Sequence, residues 1–196
     1  MVAIVIFGAS GDISHKKVIP GLYEWYKENN KAISTIIGFG RTKLTTNEFI
    51  KTIDTNYQDA DFMELFNYQI GGYNQKQAFN ELKDTIIESG TKDIIFYFGI
   101  PSYISPIAIH EITQLSIYQS SNYNCRFIVE KPIVTDLNSC NKILDEIYQY
   151  ITEDQLYILD HYLGKSSIRD IINLKTNNYK TNNIDIQSLS IILNEE

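Results

Sequence analysis

Three stretches of the chain carry residue types whose spacing can do chemistry. The first is Gly8-Ala9-Ser10-Gly11-Asp12, placed between an apolar run, Val2–Phe7, and a segment of helical period. Glycines in such a turn let backbone amides approach a pyrophosphate, and the helix N-terminus behind them favours negative charge through its unsatisfied N–H groups and its dipole. The spacing is GxxG, shorter than the full GxGxxG fingerprint. Its place at the first strand-to-helix junction therefore carries the assignment of Gly8, Ser10, Gly11 and Asp12 as cofactor-binding, with a plain turn as the alternative. The second stretch is Gly38-Phe39-Gly40-Arg41-Thr42, at the end of the next apolar run. NAD-specific domains carry an acid there for the ribose 2′-hydroxyl. Arg41 instead offers a cation to a 2′-phosphate, helped by the Thr42 hydroxyl, a pairing that selects NADP over NAD. The alternative is a surface arginine in a turn.

The third stretch is split. Lys131 stands between Glu130 and Pro132 just after the apolar run 127–129, at the carboxyl edge where open α/β sheets bind ligands. Further on come Asp160, His161, Tyr162 and Lys165. Adjacent residues of a strand point to opposite faces, so Asp160 and His161 read as having separate roles. An isolated histidine is more often structural than catalytic, but Tyr162 and Lys165 beside His161 favour a site. His15 and His110 have no partner at metal-ligand spacing and read as structural; no Cys/His/Asp cluster suggests a metal. Trp25 and the stretch Tyr23–Tyr26 read as core and interface packing.

These residues need a scaffold, and the composition supplies one. The chain has 196 residues, 43% of them hydrophobic and 21% charged, which suits a globular protein of one ample domain or one domain and part of another. Its 17 basic against 24 acidic residues give a net charge of −7 with no basic run. Nucleic acid and anionic membranes are thereby disfavoured as partners, because both need clustered Lys and Arg, and small molecules become the expected ligands. Val2–Phe7 is too short for an export or membrane segment. Cys125, placed before a strand, and Cys140, within a helix, form no CxxC; a reducing cytoplasm fits.

Apolar β-branched runs at Val2–Phe7, 33–39, 94–98 and 127–129 alternate with stretches of helical period at 13–28, 46–58, 75–89, 105–118 and 137–151. Phe66–Ile70, before Gly71-Gly72, adds a short strand. Strand–helix alternation implies βαβ crossovers, hence an α/β fold with a doubly wound parallel sheet of five or six strands. Residues 177–183 are linker-like. Residues 184–193 are apolar and strand-like, and the sequence ends three residues later, so this strand is expected to seek a partner.

The motifs, taken in order, resemble the glucose-6-phosphate dehydrogenase family. They are Gly8-Ala-Ser-Gly-Asp-Ile-Ser-His-Lys-Lys-Val-Ile-Pro20, Gly40-Arg-Thr-Lys-Leu-Thr45, Tyr68–Tyr73, Tyr97-Phe-Gly-Ile-Pro101, Val129-Glu-Lys-Pro132 and, most specific, Asp160-His-Tyr-Leu-Gly-Lys165. The resemblance implies a Rossmann-type NADP-binding domain over residues 1–160, followed over 161–196 by the start of an α+β substrate and dimerisation domain. It implies oxidation of glucose 6-phosphate, or a related sugar phosphate, at the anomeric carbon in the oxidative pentose phosphate pathway, with hydride passing to NADP. In that reading Lys131 bonds the sugar and lies near the nicotinamide, His161, Tyr162 and Lys165 hold the phosphate, Asp160 orients a catalytic histidine, and Pro101 borders the cofactor.

The chain also departs from the family pattern. Ile133-Val134 stands where a bulky residue and glycine are usual, Ser102 replaces a common second proline, and His15 falls in a usually basic triplet. The family continues for a long domain that carries the histidine base and the dimer sheet. The 196 residues are thus expected to be incomplete for catalysis, with a non-catalytic relative that binds NADP, a sugar phosphate or a partner chain as the alternative. Association of two copies through residues 184–193 is a further expectation. A sugar oxidoreductase of the glucose–fructose type, which shares the Glu-Lys-Pro, is disfavoured by the string at 160–165.

Overall fold

The computed structural model describes residues 1–29, 32–165 and 168. Inter-residue contacts divide the chain into a first unit, Met1–Asp160, and a second, His161–Glu196. Of the second unit the turn His161–Gly164 is described, with Lys165 after it. The expected linker at 177–183 and strand at 184–193 lie outside the described residues.

The first unit is built on six parallel strands, β1 (Val2–Phe7), β2 (Ile33–Gly40), β3 (Phe66–Ile70), β4 (Asp93–Phe98), β5 (Asn124–Glu130) and β6 (Leu156–Leu159), ordered β3-β2-β1-β4-β5-β6. This is the doubly wound order, in which the crossovers change direction beside the first strand. β1 is buried at every position because it has a strand on each side and helices on both faces, as its unbroken apolar run requires.

Each face of the sheet has its own core. On one face Phe7, Phe39, Phe96, Phe98 and Phe127 pack under α4 (Lys76–Glu88), α5 (Ser105–Thr113) and α7 (Leu137–Ile147). Phe7 and Phe98 lie face to face with ring centroids 5.0 Å apart, and Phe7 and Phe39 are 5.1 Å apart. On the other face Ile4, Ile6, Ile36, Phe66 and Tyr68 meet α1 (Ile19–Glu28), α2 (Thr46–Thr52) and α3 (Ala60–Met63). Each fully buried phenylalanine or isoleucine contributes about 1.5–3 kcal/mol by leaving water. Tyr23 and Tyr26, both half-buried, pack on Phe62 at the border of this core, at 5.2 Å, whereas Trp25 is exposed.

The strands and helices lie where the sequence places them, with local differences. The stretch read as one helix over 13–28 opens as a π-helical turn, Ser14–Val18, which runs on into α1, and Pro20, which has no N–H to donate, falls where one passes into the other. The stretch 46–58 stops at Thr52, because Ile53 is extended, and resumes as a short 3₁₀ turn at Thr55–Tyr57. The stretch 105–118 breaks after Thr113 and resumes as α6 (Ser116–Gln119). Cys125 lies within β5 rather than before it, and burial pushes its thiol up to about 12. β6 is short and mostly exposed, which explains why its four residues give little pattern. Asp160 follows β6 and His161 opens the next turn, so strand alternation does not apply to this pair.

Candidate cofactor cleft

The carboxyl ends of β1, β2 and β4 converge on one turn. Gly8 has φ +79°, a left-handed conformation that excludes most side chains, and a Cβ there would stand 2.3 Å from the Gly99 carbonyl oxygen. The turn is tied to both neighbouring strands: the Gly8 amide donates to the Phe39 carbonyl at 2.9 Å, and the Gly99 amide donates to the Phe7 carbonyl at 3.0 Å. The Gly11 amide and the buried Ser14 hydroxyl both donate to the Gly8 carbonyl, at 2.9 and 3.0 Å. The result is a concave backbone cradle that side chains would fill, the property a pyrophosphate site needs.

The loop after β2 is held as firmly. Thr45 and Glu48 cap α2 reciprocally, the Glu48 carboxylate accepting from the Thr45 amide at 2.8 Å, and these hydrogen bonds hold its carboxyl below the usual range. The Tyr68 hydroxyl donates to the Thr42 carbonyl at 3.0 Å, and the Tyr68 amide donates to the Thr46 hydroxyl, also at 3.0 Å. These contacts bring Thr42 to Ser10, whose hydroxyls are 2.8 Å apart across a sequence separation of 32. Gly8, Ser10, Gly11, Arg41, Thr42 and Pro101 thus line one cleft of about 200 Å³ together with Tyr73, Gly99 and Ile100. Its donors, two hydroxyls, a guanidinium and a glycine turn, fit a phosphorylated nucleotide.

Asp12, also expected in the cofactor site, is not among the residues that line this cleft. Its carboxylate is 2.8 Å from Lys16 on the exposed side of the first helical turn, a pairing that lowers its pKa. His15, one turn into the helix, is half-buried with its ring edge-on to Phe49. The Thr52 hydroxyl already donates to the Phe49 carbonyl at 2.6 Å, so His15 Nε2 must be the donor in its 3.0 Å contact with Thr52. That assignment leaves Nδ1 as a buried acceptor with no protein partner, and burial lowers the histidine pKa.

A second cleft, about 450 Å³, opens beside the first, where the ends of β4 and β5 face each other. Lys131 and Pro132 border it with Gly99, Ile100, Pro101 and Ser102. Lys131 follows β5, its amide donates to the Leu159 carbonyl at 2.9 Å, and its ammonium is 3.5 Å from the Asp160 carboxylate. The Ser102 hydroxyl donates to the Ile133 carbonyl and so joins the loops that follow β4 and β5. In the second unit the Lys165 ammonium lies 4.1 Å from the Tyr162 ring centroid, with His161 in the same turn.

Sequence reasoning missed Tyr73 and Ser102. Tyr73 follows Gly71-Gly72, and a Cβ on Gly71 would stand 2.4 Å from Phe39, so the chain passes close to the sheet there. The paired glycines were the available signal. For Ser102 no residue pattern announces a bond to a carbonyl in another loop.

Sheet order, left-handed glycine turn and polar cleft define a dinucleotide-binding α/β domain. Residues 5–170 match the family model described as glucose-6-phosphate dehydrogenase, NAD binding domain. The chain belongs to the glucose-6-phosphate dehydrogenase family. It is 34% identical over 183 residues to a glucose-6-phosphate 1-dehydrogenase of Helicobacter pylori, covering 89% of this chain and 42% of the relative. It is 31% identical over 213 residues to that of Kluyveromyces lactis, covering 98% and 42%. Among solved structures, a glucose-6-phosphate dehydrogenase in complex with its substrate glucose-6-phosphate superimposes with TM-score 0.79 at 29% identity, over 92% of this chain and 40% of that one. The chain therefore spans about two-fifths of the relatives it matches. No helix among the described residues is long and apolar enough to cross a membrane.

Proposed function

We propose that this chain is the NADP-binding part of an oxidoreductase that takes hydride from C1 of glucose 6-phosphate. The observation that carries the cofactor half of the proposal is the convergence of Ser10, Arg41 and Thr42 beside the Gly8 turn. NADP, when bound, supplies the hydride acceptor. The Gly8–Gly11 turn holds its pyrophosphate, and Arg41 and Thr42 read its 2′-phosphate. Lys131, at the rim of the larger cleft, donates a hydrogen bond to the sugar, and Asp160 keeps that ammonium oriented through their 3.5 Å contact. His161, Tyr162 and Lys165 hold the substrate phosphate, and Asp160 also serves to orient the histidine that takes the hydroxyl proton, a residue the family places beyond these 196. Residues 1–160 act as the cofactor domain and 161–196 as the start of the substrate domain. The compartment we propose is the cytoplasm, in keeping with Cys125 and Cys140 as thiols.

Calorimetric titration of NADP and NAD into the 196-residue polypeptide and its Arg41→Ala variant tests the cofactor half. A charge-assisted contact is worth about 1.5–3 kcal/mol, so the variant should lose about tenfold or more for NADP and little for NAD. Equal loss for both cofactors refutes the reading. The catalytic half is tested by following NADPH with glucose 6-phosphate. General-base catalysis contributes about 10²–10⁴-fold, and the polypeptide alone should be nearly silent. Turnover of about 1 per second or faster would assign the base to a residue within it.

A further inference from the structure

Arg41 is exposed, and a long exposed side chain samples many rotamers, yet a 2′-phosphate reader must present its N–H edge in one direction. The neighbouring ring addresses this. The Arg41 guanidinium carbon lies 5.8 Å from the centroid of the Tyr73 ring, within the range of cation–π attraction. The ring itself is anchored. Its centroid is 6.2 Å from those of both Phe7 and Phe39, the residues that close β1 and β2 against the glycine turn. The Gly71 amide donates to the Gly40 carbonyl at 2.9 Å, and the Gly72 amide to the Gln75 side chain at 2.8 Å, so the loop that carries Tyr73 is pinned at its base. Tyr73 and Arg41 line the same small cleft. Burial pushes the Tyr73 phenol up in spite of the nearby guanidinium, and the face of a neutral phenol ring is electron-rich in any case.

We propose that Tyr73 is a specificity-determining positioning residue, whose ring holds the flat face of Arg41 so that the guanidinium edge points at the 2′-phosphate of NADP. The face and the edge of a guanidinium are separate binding surfaces: stacking uses the first, and bidentate phosphate recognition uses the second. A ring that occupies the face therefore leaves all the in-plane donors available while removing rotamers that would have to be lost on binding. The inference rests on Arg41 reading the 2′-phosphate and extends it to a residue with no phosphate contact of its own.

Titrations of the 196-residue chain with NADP and NAD decide the matter. Tyr73→Leu keeps apolar bulk against Phe7 and Phe39 and removes the ring; it should weaken NADP about two- to fivefold more than NAD. Tyr73→Phe keeps the ring and should keep the unaltered chain's ratio of NADP to NAD affinity. Adding Tyr73→Leu to Arg41→Ala should cost nothing further for NADP, since the ring acts only through the guanidinium. Should Tyr73→Leu fail to fold, pentafluorophenylalanine at position 73 preserves the ring's shape, reverses its electrostatic face, and should produce the same selective loss. Equal weakening of NADP and NAD, an unchanged NADP affinity, or a Leu effect that persists without Arg41 would each overturn the role of Tyr73. If Arg41→Ala itself spares the preference for NADP, the reading of Arg41 falls, and the role of Tyr73 with it.

Discussion

The two clefts of the first unit are built differently, although both lie at the carboxyl edge of the same sheet. Around the glycine turn, backbone hydrogen bonds join β1 to β2 and β4, the loop after β2 ends in the Thr45–Glu48 cap of α2, and the aromatic cluster of Phe7, Phe39 and Phe98 lies directly beneath. Around Lys131 the neighbouring strand β6 is short and largely exposed, and the lysine makes a 3.5 Å ion pair with more than half of its side chain in solvent. The first cleft is a rigid cradle shaped by packing. The second is an edge where charged side chains meet, which suits a place completed by other groups. Function in one depends on shape, and in the other on chemistry.

The sharpest way to test that contrast is to remove Phe7, which touches Phe39, Phe79, Phe96, Phe98 and Tyr73 and leads straight into Gly8. Phe7→Ala should cost about 3–5 kcal/mol in urea unfolding and loosen the cradle with it. A cost below about 1 kcal/mol would mean that the turn does not depend on this cluster.

Next in size is Gly8→Ala. A left-handed φ and a 2.3 Å approach to the Gly99 carbonyl leave no room for a methyl group, so the variant should lose about 1–3 kcal/mol of stability together with its dinucleotide affinity. Retention of both in a melting and titration experiment would show that the turn relaxes freely, contrary to the rigid description.

At the other cleft, Lys131→Met should change stability by about 0–1 kcal/mol, because an ion pair this exposed gains little over its hydrated partners. A loss comparable to that of Phe7→Ala would erase the distinction between the two regions.

The smallest effect concerns His15, beside the cradle. Its folded pKa is lowered by burial, so the unfolded chain binds the proton more readily. The stability associated with the neutral ring is complete above the ordinary histidine value of about 6.5 and is lost as the pH falls through the lowered one. NMR titration of His15 should give a midpoint below that of an unfolded peptide, and His15→Gln should flatten the corresponding part of the stability–pH curve. A raised midpoint would refute the description of His15 as a buried ring kept neutral by its surroundings.

Local chemistry was enough for much of this molecule. The apolar run Val2–Phe7 specified a buried central strand because every position is covered, and the Gly8 to Gly11 spacing at its end specified a turn because only glycine tolerates the conformation at position 8. Alternation of such runs with helical periods specified a parallel sheet. Arg41 and Thr42 were recognisable because a cation at the end of the second strand is chemically informative in itself. Other features depend on neighbours remote in sequence. β6 has four residues and pairs only because β5 presents a free edge; Ile53 ends α2 where periodicity continued. The 2.8 Å meeting of Ser10 and Thr42, the tautomer of His15 and the 5.8 Å approach of Arg41 to the Tyr73 ring exist only once the sheet has brought its loops together. Side-chain type and short-range period are properties of the chain, whereas the direction in which a hydroxyl or guanidinium points is set by whichever groups packing leaves within 3 to 6 Å.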